Sequence, residues 1–395
     1  MDQGEIYTEP LISEYLFQRA TERGVPLSGA FELTPLCNFH CRMCYVTQTA
    51  EAVTASPRPP MVLNDWLTLA RQARDQGLLF LLLTGGEPLL WPDFWPLYRE
   101  LSGMGFQLSI NSNGSLIDQA AVEAFTRQPP SRINITLYGA SEEAYASLCR
   151  NGSGFRRTVT AIDALRQAGI PVKLNCSLTP WNAGDLEAMV QFAQERELIL
   201  EVNTYMFPPL RRDGDSVGVN QRFTPEDAAW WHLRRYQLLY GEERFQSFIQ
   251  ATANGLAPPP GPDELCGDRC DGTVACRAGR ASFWVTWDGW LTPCGMAPEP
   301  KTDLRQNSFP QAWEQIKART AALRTSSLCP SCPNRNMCHS CMAIAMSETG
   351  RSEGVPQYLC RMMEAMKIHA EAFLNGSVSG QHDISHRKPQ REEIL

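Results

Sequence analysis

Three closely spaced cysteines are the residues whose type and spacing most directly predict chemistry in this sequence. Cys37, Cys41 and Cys44 form a C-x3-C-x2-C run. A 4Fe–4S cluster has four irons and normally takes four thiolates, whereas this run supplies three, with no obvious fourth nearby. One iron would keep an open coordination position for a small molecule, as is typical of a reactive centre. The alternative is a partial zinc site, although zinc sites usually pair cysteines as C-x2-C.

Nine further cysteines form a second group toward the C-terminus. They are Cys266, Cys270, Cys276, Cys294, Cys329, Cys332, Cys338, Cys341 and Cys360. Core packing alone does not account for so many thiols. The group reads C-x12-G-x4-C over 276–294 and C-x2-C-x5-C-x2-C over 329–341, which indicates metal ligation. A single tetrahedral zinc held by the four cysteines of 329–341 is the alternative to iron–sulfur clusters.

Composition limits the class of protein and of partner. The chain has 395 residues, enough for two or three domains, and a net charge of −7 from 36 basic and 43 acidic residues. Without a long basic stretch, neither nucleic acid nor an anionic membrane is expected as a partner. The sequence shows no signal peptide, and its longest apolar run is too short to cross a bilayer. We therefore expect a cytoplasmic protein, in which 14 cysteines favour metal ligation over disulfides.

Strand and helix patterns alternate through the first half of the chain. The predicted strands are Gly29–Thr34, Leu79–Thr84, Gln107–Ser112, Arg132–Leu137, Pro171–Cys176 and Ile199–Thr204. The predicted helices are Asn64–Gln76, Asp93–Met104, Asp118–Arg127, Phe155–Ala168 and Gly184–Arg196, with Asn64 as an N-cap. This alternation predicts an α/β fold with a parallel sheet. Six units predict a partial (β/α)6 TIM-like barrel.

The alternation of side chains along these strands separates an apolar face from a polar face. The apolar face carries residues such as Phe31, Leu33 and Ile110, and it must meet the helices. The polar face carries Glu32, Thr34, Ser109, Asn111, Asn134, Thr136, Lys173, Asn175, Glu201 and Asn203. Buried polar groups need partners, so this lumen predicts a bound polar ligand. A lumen filled with water is the alternative.

Four loops follow the carboxyl ends of these strands and therefore open at one rim. The first contains the cysteine triplet, and the second reads Gly85-Gly86-Glu87-Pro88. Paired glycines let backbone approach a ligand closely, and Glu87 offers a carboxylate to a cationic group. Alone, this segment could be only a turn. Its place one strand after the cysteines favours a ligand site.

The cysteine triplet and the Gly-Gly-Glu-Pro segment resemble the signature of the radical S-adenosylmethionine (radical SAM) superfamily. The resemblance spans roughly residues 29 to 210. In that family the amino and carboxylate groups of SAM chelate the open iron, and cleavage of SAM gives a 5′-deoxyadenosyl radical. The resemblance implies an electron donor such as flavodoxin or ferredoxin. It implies cluster ligands at Cys37, Cys41 and Cys44. It also implies SAM contacts at Gly85, Gly86, Glu87, Thr136 and Arg150.

The second group of cysteines is similar to a SPASM domain, the auxiliary-cluster domain of radical SAM maturases. This resemblance implies two further 4Fe–4S clusters, three in all. One set would be Cys270, Cys276, Cys294 and Cys341. The other would be Cys329, Cys332, Cys338 and Cys360. Cys266 is left over. The family has C-x3-C where this chain has C-x2-C at Cys338 and Cys341.

These patterns predict five segments. They are an N-terminal extension (1–28), the barrel (29–210), a linker or bridging region (211–262), the SPASM domain (263–365) and a helix end with a mobile tail (366–395). Three cysteines lie outside the ligand sets. Cys266 could replace Cys270 or remain free. Cys176 falls on the apolar face as a core residue. Cys149 is placed in the loop after the fourth strand, either as a packed thiol or as a hydrogen-atom donor.

The leading functional hypothesis is an enzyme that oxidatively modifies a peptide, for example by a thioether or carbon–carbon crosslink. Formylglycine formation is disfavoured because Gly295 follows Cys294, where sulfatase maturases carry an acidic residue. About 28 residues precede the first strand, too few for a peptide-recognition domain, so an oxidoreductase or epimerase acting on a sugar or aminoglycoside is the alternative. A non-enzymatic iron–sulfur or zinc scaffold is the third hypothesis.

Overall fold

The structure is a computed structural model that describes residues 12–208, 222–256, 273–274, 276–338 and 340–377. Cys266 and Cys270 lie outside the described residues, as does most of the predicted tail. The boundaries predicted near residues 210 and 262 also fall outside them. The predicted division into five segments therefore stays a prediction.

Six parallel strands form the barrel. They are β1 (Ser28–Glu32), β2 (Phe80–Thr84), β3 (Gln107–Ser112), β4 (Arg132–Thr136), β5 (Val172–Ser177) and β6 (Leu200–Asn203). Each strand pairs in parallel with the next along the chain. The α/β fold with a parallel, partial barrel is thus confirmed, and the predicted strand bounds agree within two residues. Regular alternation of apolar residues made these strands visible in the sequence.

Helices cover the outside of the barrel. They are α1 (Ile12–Arg23), α2 (Ala50–Ala55), α3 (Leu63–Asp75), α4 (Phe94–Gly103), α5 (Gln119–Arg127), α6 (Glu142–Cys149), α7 (Gly154–Gln167) and α8 (Leu186–Glu195). The N-cap predicted at Asn64 is wrong because α3 already begins at Leu63. The Asp65 carboxylate instead accepts a hydrogen bond of 3.1 Å from the N–H of Val62. The helix α6 was not predicted, although Ser141 caps it by accepting from the N–H of Ala144.

The second half of the chain continues the barrel sheet. Strand β7 (Ser282–Val285) pairs in parallel with β1, placing Ser282 opposite Ser28. Strands β8 (Trp290–Thr292) and β9 (Thr302–Asp303) then add in antiparallel fashion, giving the sheet order β6-β5-β4-β3-β2-β1-β7-β8-β9. Sequence analysis placed the second cysteine group in a unit of its own. The structure shows that its first strand is hydrogen-bonded to the barrel.

Five helices belong to the second half. They are α9 (Pro225–Tyr240), α10 (Glu242–Ala253), α11 (Phe309–Ala322), α12 (Met342–Thr349) and α13 (Gln357–Leu374). Much of the predicted linker is thus helical, and α9 and α10 both pack against α13. Gly241 separates α9 from α10 at φ +80°, a conformation that favours glycine. Within the described part of the chain, no helix has the length and apolar character needed to span a membrane.

The two faces of the barrel strands differ as the alternation predicts. Apolar residues such as Phe31, Leu33 and Ile110 are fully buried under the helices. In the lumen, Asn134 Nδ2 donates to Asn111 Oδ1 at 2.8 Å. Three lumen-side or adjacent acceptors are buried without a hydrogen-bond partner among the described residues, namely Asn134 Oδ1, Asn175 Oδ1 and Thr204 Oγ1. Each such group costs about 1–3 kcal/mol unless a ligand or water pairs with it.

The junction between β1 and β7 generates a stability prediction. A β-carbon added at Gly29 would lie 2.3 Å from Cζ of Phe283. Overpacking of this kind typically costs about 1–3 kcal/mol. We expect Gly29→Ala to lower the free energy of unfolding by this amount in urea titrations. Gly103→Ala is the control, because nothing lies within 4 Å of the added carbon. A Gly29→Ala protein as stable as wild type would contradict the tight junction.

Candidate active site

The cysteine triplet lies in the loop that follows β1. Cys41 is buried, while Cys37 and Cys44 are partly buried. The N–H of Cys44 donates to the carbonyl of Cys41 at 3.0 Å, which closes a turn between the second and third cysteines. Burial raises the pKa of the Cys37 thiol, and the nearby Glu87, Cys41 and Cys44 raise it further. The three thiols and the Glu87 carboxylate therefore share one site.

The Gly85–Gly86 pair packs directly against the backbone that leads into the cysteine loop. A β-carbon at Gly85 would lie 2.5 Å from the carbonyl oxygen of Thr34, and one at Gly86 would lie 2.3 Å from that of Leu36. The N–H of Gly86 donates to Thr34 at 2.7 Å, and the N–H of Glu87 donates to Leu36 at 2.9 Å. Only glycine fits this approach, so these two residues fix the start of the cysteine loop.

The Glu87 carboxylate is fully buried and joins two neighbouring loops. It accepts hydrogen bonds from Ser112 Oγ at 2.9 Å, the N–H of Asn113 at 2.8 Å and the N–H of Leu89 at 3.2 Å. Burial raises its pKa to about 7 against the opposing effect of these donors. The sequence predicted a carboxylate that faces a cationic group. In the structure, its oxygens hold the loop after β3 against the loop after β2.

An amide network extends from this loop to the cysteines. Asn113 Nδ2 donates to Asn38 Oδ1 at 2.9 Å and lies 3.8 Å from Cys37 Sγ. Asn38 Nδ2 in turn donates to Ser115 Oγ at 2.8 Å. The sequence pattern assigned no role to Asn113, Asn38 or Ser115. Nothing in their spacing marks them, because the network joins residues 75 or more positions apart.

Aromatic side chains enclose the buried side of the cysteine loop. The rings of Phe39, Tyr138 and Tyr145 pack edge to face, with centroids 5.6 to 6.2 Å apart. The placement predicted for Cys149 is wrong in one respect, since it is the last residue of α6 and not a loop residue. Its side chain is fully buried in this aromatic cluster, and its carbonyl accepts from the N–H of His40. The packed-thiol interpretation fits this position.

The remaining predicted SAM contacts lie at the same end of the barrel. Thr136 is partly exposed at the end of β4, opposite Asn175 of β5. Arg150 is exposed directly after α6, with φ at +55°. Burial and the charge of Arg150 both lower the pKa of Arg42, so the two guanidinium groups are neighbours beside the cysteine loop. The roles of Thr136 and Arg150 stay predictions.

The cysteines of the second group fall into two neighbourhoods. Burial raises the pKa of Cys341 to about 11, with further contributions from Cys294 and Cys276. Burial also raises the pKa of Cys338 to about 11, and here the contributing thiols are Cys360, Cys329 and Cys332. These neighbourhoods coincide with the described members of the two ligand sets inferred from the sequence. Cys341 lies with Cys276 and Cys294, so it is not grouped with the cysteines of 329–338 as the single-zinc alternative requires.

Among the described residues, no three Cys, His, Asp or Glu side chains converge closely enough to hold one metal ion. A single zinc ion requires such convergence, whereas each thiolate of a four-iron cluster binds a different iron. No disulfide joins the described cysteines either. The geometry therefore gives no support to a single-ion site.

A cavity of about 330 Å³ connects the barrel interior to the second cysteine group. Its walls include lumen-facing residues of β1, β2, β3 and β7 together with Pro293, Cys294 and Gly295, and none of the described residues that line it is charged. The hydroxyls of Ser28, Ser109 and Ser282 face it without hydrogen-bond partners among the described residues. Trp284 forms one wall, and its Nε1 donates to the buried Glu32 carboxylate at 2.9 Å.

The residues present fit a cluster with SAM. Three thiols share one site on a loop with little freedom, and the adjacent glycine pair leaves backbone space that side chains would fill. The lumen carries buried acceptors that lack a partner within the described protein. Such acceptors suit a polar ligand, which can supply the missing donors.

Comparison with known proteins agrees with this geometry. Residues 31–193 match the family model of the radical SAM superfamily. The chain is 23% identical over 337 residues to the AdoMet-dependent heme synthase of Methanosarcina barkeri, covering 81% of this chain and 92% of that protein. It is 22% identical over 310 residues to the sporulation killing factor maturation protein SkfB of Bacillus subtilis, covering 77% of this chain and 69% of that protein.

A solved structure shares the fold. Native anSMEcpe with bound AdoMet and the Kp18Cys peptide superposes with a TM-score of 0.64 at 16% identity, covering 89% of this chain and 99% of that one. At this identity the likeness concerns the fold alone. Together with the family match over the cysteine loop and the glycine pair, these findings show an enzyme that carries a radical SAM domain at residues 31–193.

Proposed function

We propose that this radical SAM enzyme oxidatively modifies a peptide, and that its second half holds two auxiliary 4Fe–4S clusters. One observation carries the proposal. Cys294, from one of the two cysteine neighbourhoods, lines a cavity that opens into the barrel interior. A substrate group in this cavity would lie between the cysteine triplet and the second group. Relatives and structural neighbours that are maturases or hold peptides support a peptide substrate.

The radical SAM domain implies SAM and a 4Fe–4S cluster as cofactors. Cys37, Cys41 and Cys44 would hold the cluster, while Gly85, Gly86, Glu87, Thr136 and Arg150 would contact SAM. When bound, the cluster and SAM would supply a 5′-deoxyadenosyl radical, with an electron from an external donor such as flavodoxin or ferredoxin. The auxiliary clusters would supply an acceptor for the electron that an oxidation leaves behind. The aromatic cluster behind the cysteine loop excludes water from the buried side of this site.

The described residues of the second half would hold the auxiliary clusters in two sets. Cys276, Cys294 and Cys341 form one set, which Cys270 would complete from outside the described residues. The other set is Cys329, Cys332, Cys338 and Cys360. Pairing of β7 with β1 brings the first set beside the barrel, since Cys276 and Cys294 flank the β7–β8 hairpin.

The cavity favours an uncharged substrate group. A charge buried without a partner would cost several kcal/mol, and none of the described lining residues is charged, whereas three serine hydroxyls can donate or accept. A β-carbon at Gly295 would lie 2.8 Å from the Trp284 ring. The acidic residue that sulfatase maturases carry here would displace this ring, in agreement with a different reaction.

A small-molecule substrate is the second candidate. The heme synthase relative matches 81% of this chain, which is more than the match to SkfB covers. The cavity alone would also suit an uncharged part of a small molecule. Product analysis with a candidate peptide separates the two, since a small-molecule enzyme would leave the mass of the peptide unchanged.

The cysteine triplet generates the next prediction. We expect the Cys37→Ala, Cys41→Ala, Cys44→Ala triple variant to lose all 5′-deoxyadenosine formation from SAM under reducing conditions, measured by mass spectrometry. Iron bound by the second group should remain, because the two cysteine neighbourhoods there contain none of the triplet cysteines. Cys176→Ala removes a buried core thiol and serves as the control that should retain cleavage. Undiminished cleavage in the triple variant would refute the assignment.

The two cysteine neighbourhoods predict that the iron losses of single variants add up in a double variant. Wild-type protein reconstituted without oxygen should bind about twelve irons, four for each cluster. Cys341→Ala and Cys338→Ala should each lose about four irons, and the double variant about eight. A single zinc site that contains both residues predicts instead that the double variant loses no more metal than either single variant. Metal analysis of soluble, folded protein distinguishes the two results.

A further inference from the structure

The hydroxyl of Thr47 contacts the third cysteine of the triplet. Thr47 Oγ1 lies 3.0 Å from Cys44 Sγ, and the N–H of the same residue donates to this sulfur at 3.4 Å. Thr47 is only 5% exposed, so water does not compete effectively for either bond. The sequence pattern gave Thr47 no role, since it lies outside the C-x3-C-x2-C run.

The direction of the hydroxyl bond follows from the state of the sulfur. A cysteine that ligates iron is a thiolate and carries no proton. The Thr47 hydroxyl must then donate, and Cys44 receives two hydrogen bonds from one residue. Hydrogen bonds to cluster sulfurs are among the features that set reduction potentials. They stabilise the more negative, reduced state and raise the potential.

The backbone around Thr47 holds this donor in place. The N–H of Gln48 donates to the carbonyl of Pro35 at 3.0 Å. Pro35 and Leu36 are in turn packed against Gly86, so both ends of the cysteine loop are fixed to the same segment. Thr47 therefore keeps its position as part of a rigid loop.

We propose that Thr47 is a positioning residue whose hydroxyl raises the reduction potential of the cluster held by Cys37, Cys41 and Cys44. This inference rests on the proposed assignment of that cluster. It adds a residue outside the cysteine and glycine motifs that controls how readily the centre accepts an electron. The effect acts through Cys44 and requires no contact between Thr47 and SAM.

The test compares Thr47→Val with Thr47→Ser in the reconstituted holoenzyme. Valine keeps the shape of threonine without the hydroxyl, so the potential, followed by electron paramagnetic resonance, should shift to a more negative value. Serine restores the donor and should return the potential to the wild-type value. In wild type exchanged into D₂O, the reduced cluster should also show a deuteron coupling that Thr47→Val removes, in addition to the couplings of the Thr47 and Phe39 backbone amides, which both proteins keep.

Thr49→Val is the matched control. Thr49 lies two residues away and caps α2 by accepting a hydrogen bond from the N–H of Ala52. Among the described residues of this loop, no hydrogen bond joins Thr49 to Cys44. Losing the cap should destabilise the start of α2, yet leave the potential unchanged. A purely structural role for Thr47 predicts that Thr47→Val, like Thr49→Val, leaves the reduction potential unchanged.

An unchanged potential in iron-loaded Thr47→Val would overturn the inference while leaving the proposed function intact. If Thr47→Val fails to load iron, Thr47→Ala takes its place, and an unchanged potential in iron-loaded Thr47→Ala overturns the inference. Failure of wild-type protein to bind iron at the triplet or to cleave SAM would refute the proposed function itself. The two failures are therefore distinguishable.

Discussion

The contact between the Gly85–Gly86 backbone and residues 34–36 is the constraint on which the candidate site depends. It joins the ends of β1 and β2 so closely that a β-carbon at either glycine would collide with carbonyl oxygens. The cysteine loop leaves from this contact and returns to it through the bond from Gln48 to Pro35. Three thiolates on an unrestrained loop would repel one another, whereas backbone contacts of the protein itself hold this loop. The Glu87 carboxylate extends the same restraint to the loop after β3.

The second constraint is the continuity of the sheet. Because β7 pairs with β1, the cysteines that flank the β7–β8 hairpin are placed by barrel hydrogen bonds and not by a flexible linker. Trp284 on β7 reaches Glu32 on β1 and shapes the uncharged cavity beside Cys294. One cavity is thus lined both by barrel strands and by Cys294 of the second cysteine group. This arrangement suits chemistry in which the substrate group lies between two redox centres.

The sequence predicted what depends on local pattern. Alternating apolar residues marked six strands, and the spacing of the cysteines and glycines marked the site. It did not predict the pairing of β7 with β1, because a short strand carries no signal for a partner some 250 residues away. The roles of Asn38, Ser115 and Thr47 were also missed, since each depends on where loops meet. The Asn64 cap failed because α3 begins at Leu63, where the Asp65 carboxylate accepts from the N–H of Val62.

The central claim is that the cysteine triplet and the glycine pair form a centre that cleaves SAM. Its most direct test is anaerobic reconstitution of wild-type protein with iron and sulfide, reduction with dithionite, and incubation with SAM. We expect 5′-deoxyadenosine and methionine in equal amounts, with a yield of at least one equivalent of each per enzyme. Protein that binds four irons at the triplet but forms neither product would contradict it.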